Sequence, residues 1–273
     1  MARGQFAARA VVLARGLGTR MRAADPDATL TPAQQRAADA GLKPMMPVNG
    51  RPFLDFVLSA LADAGVTETA LVVAPDHDAL RRHYGADSQP ARLHVSFVVQ
   101  EEPRGTADAV LAAEAWTGGA DFLALNADNL YPPPVLAELA RLGEPGLPAF
   151  AASELERTGN IPVERVRAFA SIEVDDQGYL ARIVEKPAAL APDSAELLVS
   201  MNCWRFDARI FRACRDVPRS ARGEFELPEA VGLAMASGVR FKTFRARGPV
   251  LDLSRRADAA DVGRRLAGVI PRP

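Results

Sequence analysis

Leu13-Ala14-Arg15-Gly16-Leu17-Gly18-Thr19-Arg20, followed further along by Lys43-Pro44, is the part of the chain whose residue types best suit phosphate chemistry. An apolar run, Ala10 to Leu13, enters a glycine-rich loop that ends in a hydroxyl and a permanent positive charge. A strand leading into such a loop brings backbone N–H groups against phosphate oxygens. Gly16 and Gly18 carry no Cβ, so the backbone there can turn tightly and come close to a ligand. Arg20 adds a fork of donors that stays charged at any working pH. Lys43 supplies a second, more mobile cation. The set reads as a cradle for a nucleoside triphosphate. It differs from two other glycine loops. A dinucleotide loop needs Gly or Ala where Met21 stands, and a Walker loop needs Gly-Lys-Ser/Thr, which is absent.

Such a loop needs a sheet to hold it, and the first half of the sequence predicts one. Ala8–Leu13, Thr69–Ala74, Leu93–Val99 and Phe122–Asn126 read as strands. Pro52–Ala64, Thr106–Trp116 and Pro132–Leu142 read as helices, the first opened by Pro52 and ended by Gly65. Alternation of this kind predicts an α/β fold: a Rossmann-like, mostly parallel mixed sheet sandwiched by helices. Ligands gather at the carboxyl ends of strands in such sheets. Arg15–Arg20, Gln100 and Asp128 all follow predicted strands. After about Pro148 the rhythm changes. Phe169–Val174 and Tyr179–Val184 read as a hairpin, Leu197–Phe206 as one strand and Val239–Arg245 as another. Helices are expected at Asp207–Cys214, Glu226–Ala236 and Ala257–Leu266. The stretch Arg22–Leu42 reads either as an ordinary insertion or as a flap beside the loop, with a helix from Thr31-Pro32 to Ala40.

The 273 residues can bury a sizeable core, and 48% hydrophobic with 25% charged residues is ordinary globular composition. A net charge of −1 gives no bulk attraction to nucleic acid or an anionic membrane, so neither is an expected partner. An anionic substrate must be held by local charge. Two cysteines, Cys203 and Cys214, are too few for a disulfide framework and form no Cys-x-x-Cys pair. No apolar run approaches the ~20 residues of a membrane span, and the N-terminus lacks a signal-peptide core, so the cytoplasm is the expected location.

Five segments, spread over nearly the whole chain, resemble the sugar-phosphate nucleotidylyltransferases, the nucleoside-diphosphate-sugar pyrophosphorylases. They are Leu13–Arg20; Lys43–Val48 with Gly50-Arg51-Pro52; Gln100 with Gly105-Thr106-Ala107-Asp108-Ala109; Asn126-Ala127-Asp128-Asn129; and Glu185-Lys186-Pro187. Two looser matches are Arg222–Leu227 and Val250-Leu251-Asp252-Leu253. The resemblance implies one nucleotidyltransferase domain over residues 1–273. Residues 1–147 would be its nucleotide-binding half and 148–273 its sugar-binding half, with a small β-rich sugar-side lobe. It implies that a nucleoside triphosphate and a sugar 1-phosphate give a nucleoside diphosphate sugar and pyrophosphate, by Mg²⁺-assisted in-line attack on the α-phosphorus.

Its site residues follow. Leu13, Ala14, Gly16, Gly18 and Thr19 would hold the nucleotide. Arg20 would neutralise the departing pyrophosphate and Lys43 would bridge the phosphates at the reacting centre. Gln100, Gly105 and Thr106 would meet the base. Asp128 would bind Mg²⁺ with help from Asp252. Lys186 would hold the sugar 1-phosphate, Glu185 would accept from sugar hydroxyls, and Asn202 would touch the sugar. The nucleophile is already anionic and needs no general base, which suits a chain without a histidine-centred triad. The chemistry is then mostly positioning and electrostatics.

Arg15 stands where the family usually has a small residue. Ser254 stands where a glycine is common, and no tryptophan precedes Asp252. Gly-Thr-Ala-Asp-Ala looks like adenylyl-transferring members and Arg-Gly-Glu-Phe-Glu like thymidylyl-transferring ones, so the base stays open. No hexapeptide-type repeat is present, so no added acyltransferase domain is expected. A homo-oligomer is compatible with the reading. Two other readings fit the same residues: a nucleotide-sugar-dependent glycosyltransferase, and a non-catalytic nucleotide-sugar sensor.

Overall fold

The structure is a computed structural model that describes residues 6–26, 28–85, 89–167, 169–185 and 196–273. The strands of the first half are β1 (Arg9–Leu13), β2 (Pro47–Val48), β3 (Arg51–Pro52), β4 (Glu68–Val73), β5 (His94–Val99), β6 (Phe122–Asn126) and β7 (Asn129–Leu130). Those of the second half are β8 (Gly146–Ala151), β9 (Ala170–Val174), β10 (Leu180–Val184), β11 (Leu198–Ser200), β12 (Trp204–Phe206), β13 (Lys242–Arg245) and β14 (Leu251–Asp252). One large mixed sheet runs β10-β9-β11-β8-β12-β6-β1-β4-β5, with β13 added to β8. β1 lies parallel between β4 and β6, and β5 extends the parallel array. β12 reverses direction, antiparallel to β6 and β8, and the β9–β10 hairpin and β11 form an antiparallel end. This is the expected α/β sheet, with its parallel half carrying the glycine loop and its β-rich end on the other side.

The pleat sorts the apolar residues. On β1, Ala10 and Val12 face one core layer with Leu71, Leu123 and Leu125, while Val11 faces the other with Val72, Phe122 and Ala124. The helix Phe53–Asp63 covers the first layer, and the helices Thr106–Ala112, Arg209–Asp216 and Leu227–Ala236 cover the second. β5 is an edge strand. Val95 is buried, but Val99 is exposed, although alternation puts the two on one face.

Several expectations change in detail. The helix from Thr106 to Trp116 is two pieces, because Ala113 leaves helical geometry (φ −87°, ψ 0°) and Glu114–Thr117 starts anew. The single strand Leu197–Phe206 is β11 and β12, broken where Asn202 adopts φ +59°. β8 was not anticipated. All six of its residues are buried, and its Gly-Leu-Pro-Ala-Phe-Ala string lacks the alternation that marks a half-exposed strand. It runs through residues 147 and 148, so the two halves share a strand. The helix after Thr31 is Pro32–Asp39, opened by a capping box with Gln34. The buried Arg256 pins that segment: its guanidinium donates to Met21 O (2.8 Å), Arg22 O (3.1 Å) and Asp39 Oδ1 (2.7 Å). Trp204 is buried and stacked on Phe206, where it serves the packing of the sheet.

Candidate active site

A cleft of about 750 Å³ opens along the carboxyl edge of β1 and β6. Every expected site residue within the described residues lines it: Leu13, Ala14, Gly16, Gly18, Thr19, Arg20, Lys43, Gln100, Gly105, Thr106, Asp128, Glu185, Asn202 and Asp252. Lys186 and the Pro187 beside it lie outside the described residues.

The glycine loop leaves a run of backbone amides without backbone partners among the described residues. Its two flanks are registered side by side: Ala14 N donates to Val72 O (2.9 Å) and Ala127 N to Leu13 O (3.1 Å). Between them, among the described residues, the amides of Arg15, Gly16, Leu17 and Gly18 donate to no backbone carbonyl. Gly18 sits at φ +64°, and a Cβ there would run into the backbone of Gly41. Glycine is needed for both the conformation and the contact. Arg20, one position into the following turn, lines the cleft and makes no hydrogen bond or ion pair among the described residues. Arg15 turns back. Its Nε donates to Gln100 O (2.8 Å) and its Nη2 to Glu101 O (3.0 Å), tying the loop to the end of β5.

Gln100 is buried, and Nε2 donates both to Gly105 O (3.1 Å) and to Asp108 Oδ2 (2.7 Å). Its carbonyl oxygen is the group left for a ligand. Gly105 (φ +120°) lies flat on Phe225, whose O accepts from Ala107 N (2.9 Å), and Thr106 Oγ1 accepts from Leu227 N (2.9 Å). Gly105 and Thr106 therefore dock the Arg222–Leu227 segment as well as lining the cleft. Gly105→Ala is expected to cost about 1–3 kcal/mol, because the residue must keep a left-handed φ and a Cβ would strike the Phe225 backbone. Urea unfolding checks it. A change under about 0.5 kcal/mol, the range of an ordinary surface substitution, would show that the segment simply moves aside.

Asp128 follows β6 by two residues, and its Oδ2 accepts from Lys43 Nζ at 2.9 Å. The short pair β7–β14 then brings Asp252 opposite Asn129, and Leu253 N donates to Asp128 O (2.9 Å). Asp252 is nevertheless engaged. Ser254 Oγ donates to its Oδ1 (2.5 Å), and Arg165 Nη2 lies 2.6 Å from its Oδ2. Asn160 clamps its backbone, with Nδ2 donating to Asp252 O and Oδ1 accepting from Asp252 N, both at 2.8 Å. Burial and the nearby Asp128 charge push the Asp252 carboxyl above the usual range, against the pull of Arg165 and Ser254.

At the other end of the cleft, Arg222 Nη2 holds Glu226 Oε1 (2.5 Å) and approaches Glu185 Oε1 (3.6 Å). The break at Asn202 brings its Nδ2 to 3.5 Å from Asn126 Oδ1, with its Oδ1 accepting from Trp204 Nε1 (3.0 Å). Arg165, Asn160 and Arg256 carry no signal in the sequence. None lies in a recognisable motif, and Arg165 meets Asp258 across 93 residues of sequence.

No helix among the described residues is long and apolar enough to cross a membrane. Both cysteines are free and buried.

Comparison with known proteins agrees with this geometry. The chain is similar to a UTP–glucose-1-phosphate uridylyltransferase of Haloferax volcanii, 28% identical over 94% of this chain and 96% of that one. It is 29% identical to a glucose-1-phosphate thymidylyltransferase of Streptomyces antibioticus, over 94% of this chain but 65% of that longer one. Among solved structures, a UDP-glucose pyrophosphorylase complexed with UDP-glucose superposes with a TM-score of 0.71 at 18% identity, over 95% of this chain and 98% of that one. A family model described as nucleotidyl transferase matches residues 9–253, nearly the whole chain. The chain belongs to the nucleotidyl transferase family.

Proposed function

We propose that this protein transfers a nucleotidyl group from a pyrimidine nucleoside triphosphate to a hexose 1-phosphate, giving a nucleoside diphosphate sugar and pyrophosphate. The observation that carries the reading is the cleft's first end. Unpaired loop amides, the uncommitted Arg20 and the Lys43–Asp128 pair converge there at one sheet edge. The relatives act on glucose 1-phosphate with UTP in one name, and by thymidylyl transfer in another. Gln100 supports a base of that kind. With both N–H groups spent, its free carbonyl suits an edge bearing N3–H, as uracil and thymine do.

In this reading an oxygen of the sugar phosphate attacks the α-phosphorus and the bond to the β-phosphate oxygen breaks. The anionic nucleophile requires no proton removal. The loop amides of Gly16 and Gly18, with Thr19, hold the triphosphate against the end of β1, where Leu13 and Ala14 flank the nucleoside. Arg20 takes the charge growing on the pyrophosphate, and Lys43 draws the two phosphates together. Glu185 accepts from sugar hydroxyls, Asn202 touches the sugar, and Lys186, beyond the described residues, holds its phosphate. Residues 1–147 then serve the nucleotide and 148–273 the sugar within one domain. Asp128 fits Mg²⁺: it is a hard carboxylate at the cleft with one oxygen free of Lys43, and Mg²⁺ commonly takes one or two carboxylates plus phosphate oxygens and water. Bound there, the ion would neutralise phosphate charge and orient the reacting oxygens.

The test is a matrix of triphosphates against hexose 1-phosphates with Mg²⁺, read by pyrophosphate release. Turnover is expected with UTP or dTTP and at least one hexose 1-phosphate. Folded protein that is inactive across the matrix would overturn the reading. Release of nucleoside diphosphate from a nucleotide sugar would favour a glycosyltransferase.

A further inference from the structure

Asp252 lines the same cleft as Asp128, and the β7–β14 pairing sets it opposite Asn129, the residue next to Asp128. Its side chain already has occupants. Ser254 covers Oδ1 and the Arg165 guanidinium covers Oδ2 at 2.6 Å. Arg165 is itself fixed. Its other terminal nitrogen, Nη1, donates to Asp258 Oδ1 at 2.7 Å, and only 13% of its side chain is exposed. Asp258 cannot easily give way, because its Oδ2 also accepts from Ser254 N (2.9 Å) and Arg255 N (2.7 Å). A guanidinium keeps its charge at any working pH, so this cation cannot leave by losing a proton. Asp128 differs. Its partner is the flexible Lys43, which reaches only Oδ2, and both side chains are more exposed than Asp252.

Electrostatics agrees with the assignment. Two carboxylates facing one cleft repel each other, and a cation between them relieves that repulsion. Arg165 performs that service at Asp252 from within the chain. A divalent ion reaching for Asp252 would have to displace a largely buried guanidinium that is hydrogen-bonded to Asp258 and ion-paired to Asp252, leaving it with one carboxylate instead of two.

We propose that Arg165 is a positioning residue that takes the place of a cation at Asp252, so that a divalent ion in this cleft is held by Asp128 and not by Asp252. The inference rests on the proposed reaction for its setting, but its test does not depend on turnover. Mn²⁺ is titrated into the nucleotide-free protein, with free Mn²⁺ followed by electron paramagnetic resonance and Mg²⁺ used as competitor. Asp128→Asn is expected to weaken Mn²⁺ binding tenfold or more. Asp252→Asn is expected to leave it within about twofold and to lower the melting temperature, because Arg165 loses a buried partner. Arg165→Met is expected to tighten Mn²⁺ binding, and in that background Asp252→Asn is expected to undo the gain.

An otherwise native Asp252→Asn protein that binds Mn²⁺ as poorly as Asp128→Asn would overturn the proposal. So would Asp128→Asn binding Mn²⁺ normally. If Arg165→Met does not fold, the Asp128 and Asp252 variants decide alone. Absence of pyrophosphate release across the triphosphate matrix, with these affinities as expected, would remove the proposed reaction and leave the role of Arg165 standing.

Discussion

Asp128→Asn is expected to stop pyrophosphate release, by about a thousandfold or more, while the protein keeps its fold. A bound divalent ion contributes several kcal/mol of transition-state charge stabilisation, and each 1.36 kcal/mol is about tenfold in rate. Asn keeps the size and most of the hydrogen bonding of Asp but cannot supply the anion. The structural cost is small. The link that holds this turn to the β14 segment runs from Leu253 N to the backbone oxygen of Asp128, which the substitution keeps. The side chain's partner is Lys43, in a pair whose members are both partly exposed, worth about 0–1 kcal/mol. A role in capping the turn toward Tyr131-Pro132 predicts something different, since Asn caps about as well as Asp and activity would survive. The check is a pyrophosphate-release assay at saturating Mg²⁺ beside a thermal melt. A folded Asp128→Asn protein with native Mg²⁺-dependent turnover would refute the metal assignment.

The parallel half of the fold was readable because its signals are local. Ala10–Leu13 and Phe122–Asn126 are short apolar runs between turn residues, and the polar residues that follow each of them fall at the carboxyl edge by chain direction alone. The second half was harder, since its decisive features are tertiary. β8 is buried along its whole length and so shows no period of two. The apolar string from Leu197 to Phe206 gives no hint that Asn202 will take φ +59° and divide it, because a left-handed asparagine is chosen by what surrounds it. The site shows the same split. The contiguous run from Leu13 to Arg20 lines the cleft along its whole length, as its place directly after β1 requires. Gln100 was found by position, but not that Asp108 and Gly105 would consume its donors. Asp252 was found as an acid, but not its capture by Arg165, because nothing near Arg165 in sequence points to Asp252 or Asp258. Ser254 was visible as a departure, and the hydrogen bond it gives to Asp252 is the structural meaning of that departure.

Arg20→Ala and Lys43→Ala are each expected to cut turnover about a hundredfold or more, the usual loss when a charge aimed at a developing anion is removed. The two should differ in everything else. Arg20 is exposed and has no partner among the described residues, so its removal should change stability by no more than about 0.5 kcal/mol. In the proposed reaction its charge acts on the ligand alone, so the Arg20 and Asp128 losses should be close to additive unless both act through one phosphate. Lys43 is already paired with Asp128 at 2.9 Å, so Lys43→Ala also frees that carboxylate. The variant should therefore bind Mn²⁺ more tightly while turning over more slowly. The double variant with Asp128→Asn should fall well short of the summed losses, because the two side chains share one interaction. Arg20→Lys should recover only part of the rate, since an ammonium cannot present the two parallel donors of a guanidinium to phosphate. Rates near native in both alanine variants would sink the phosphate cradle. Tighter Mn²⁺ binding in Arg20→Ala, with none in Lys43→Ala, would mean that Arg20 rather than Lys43 neighbours the cation.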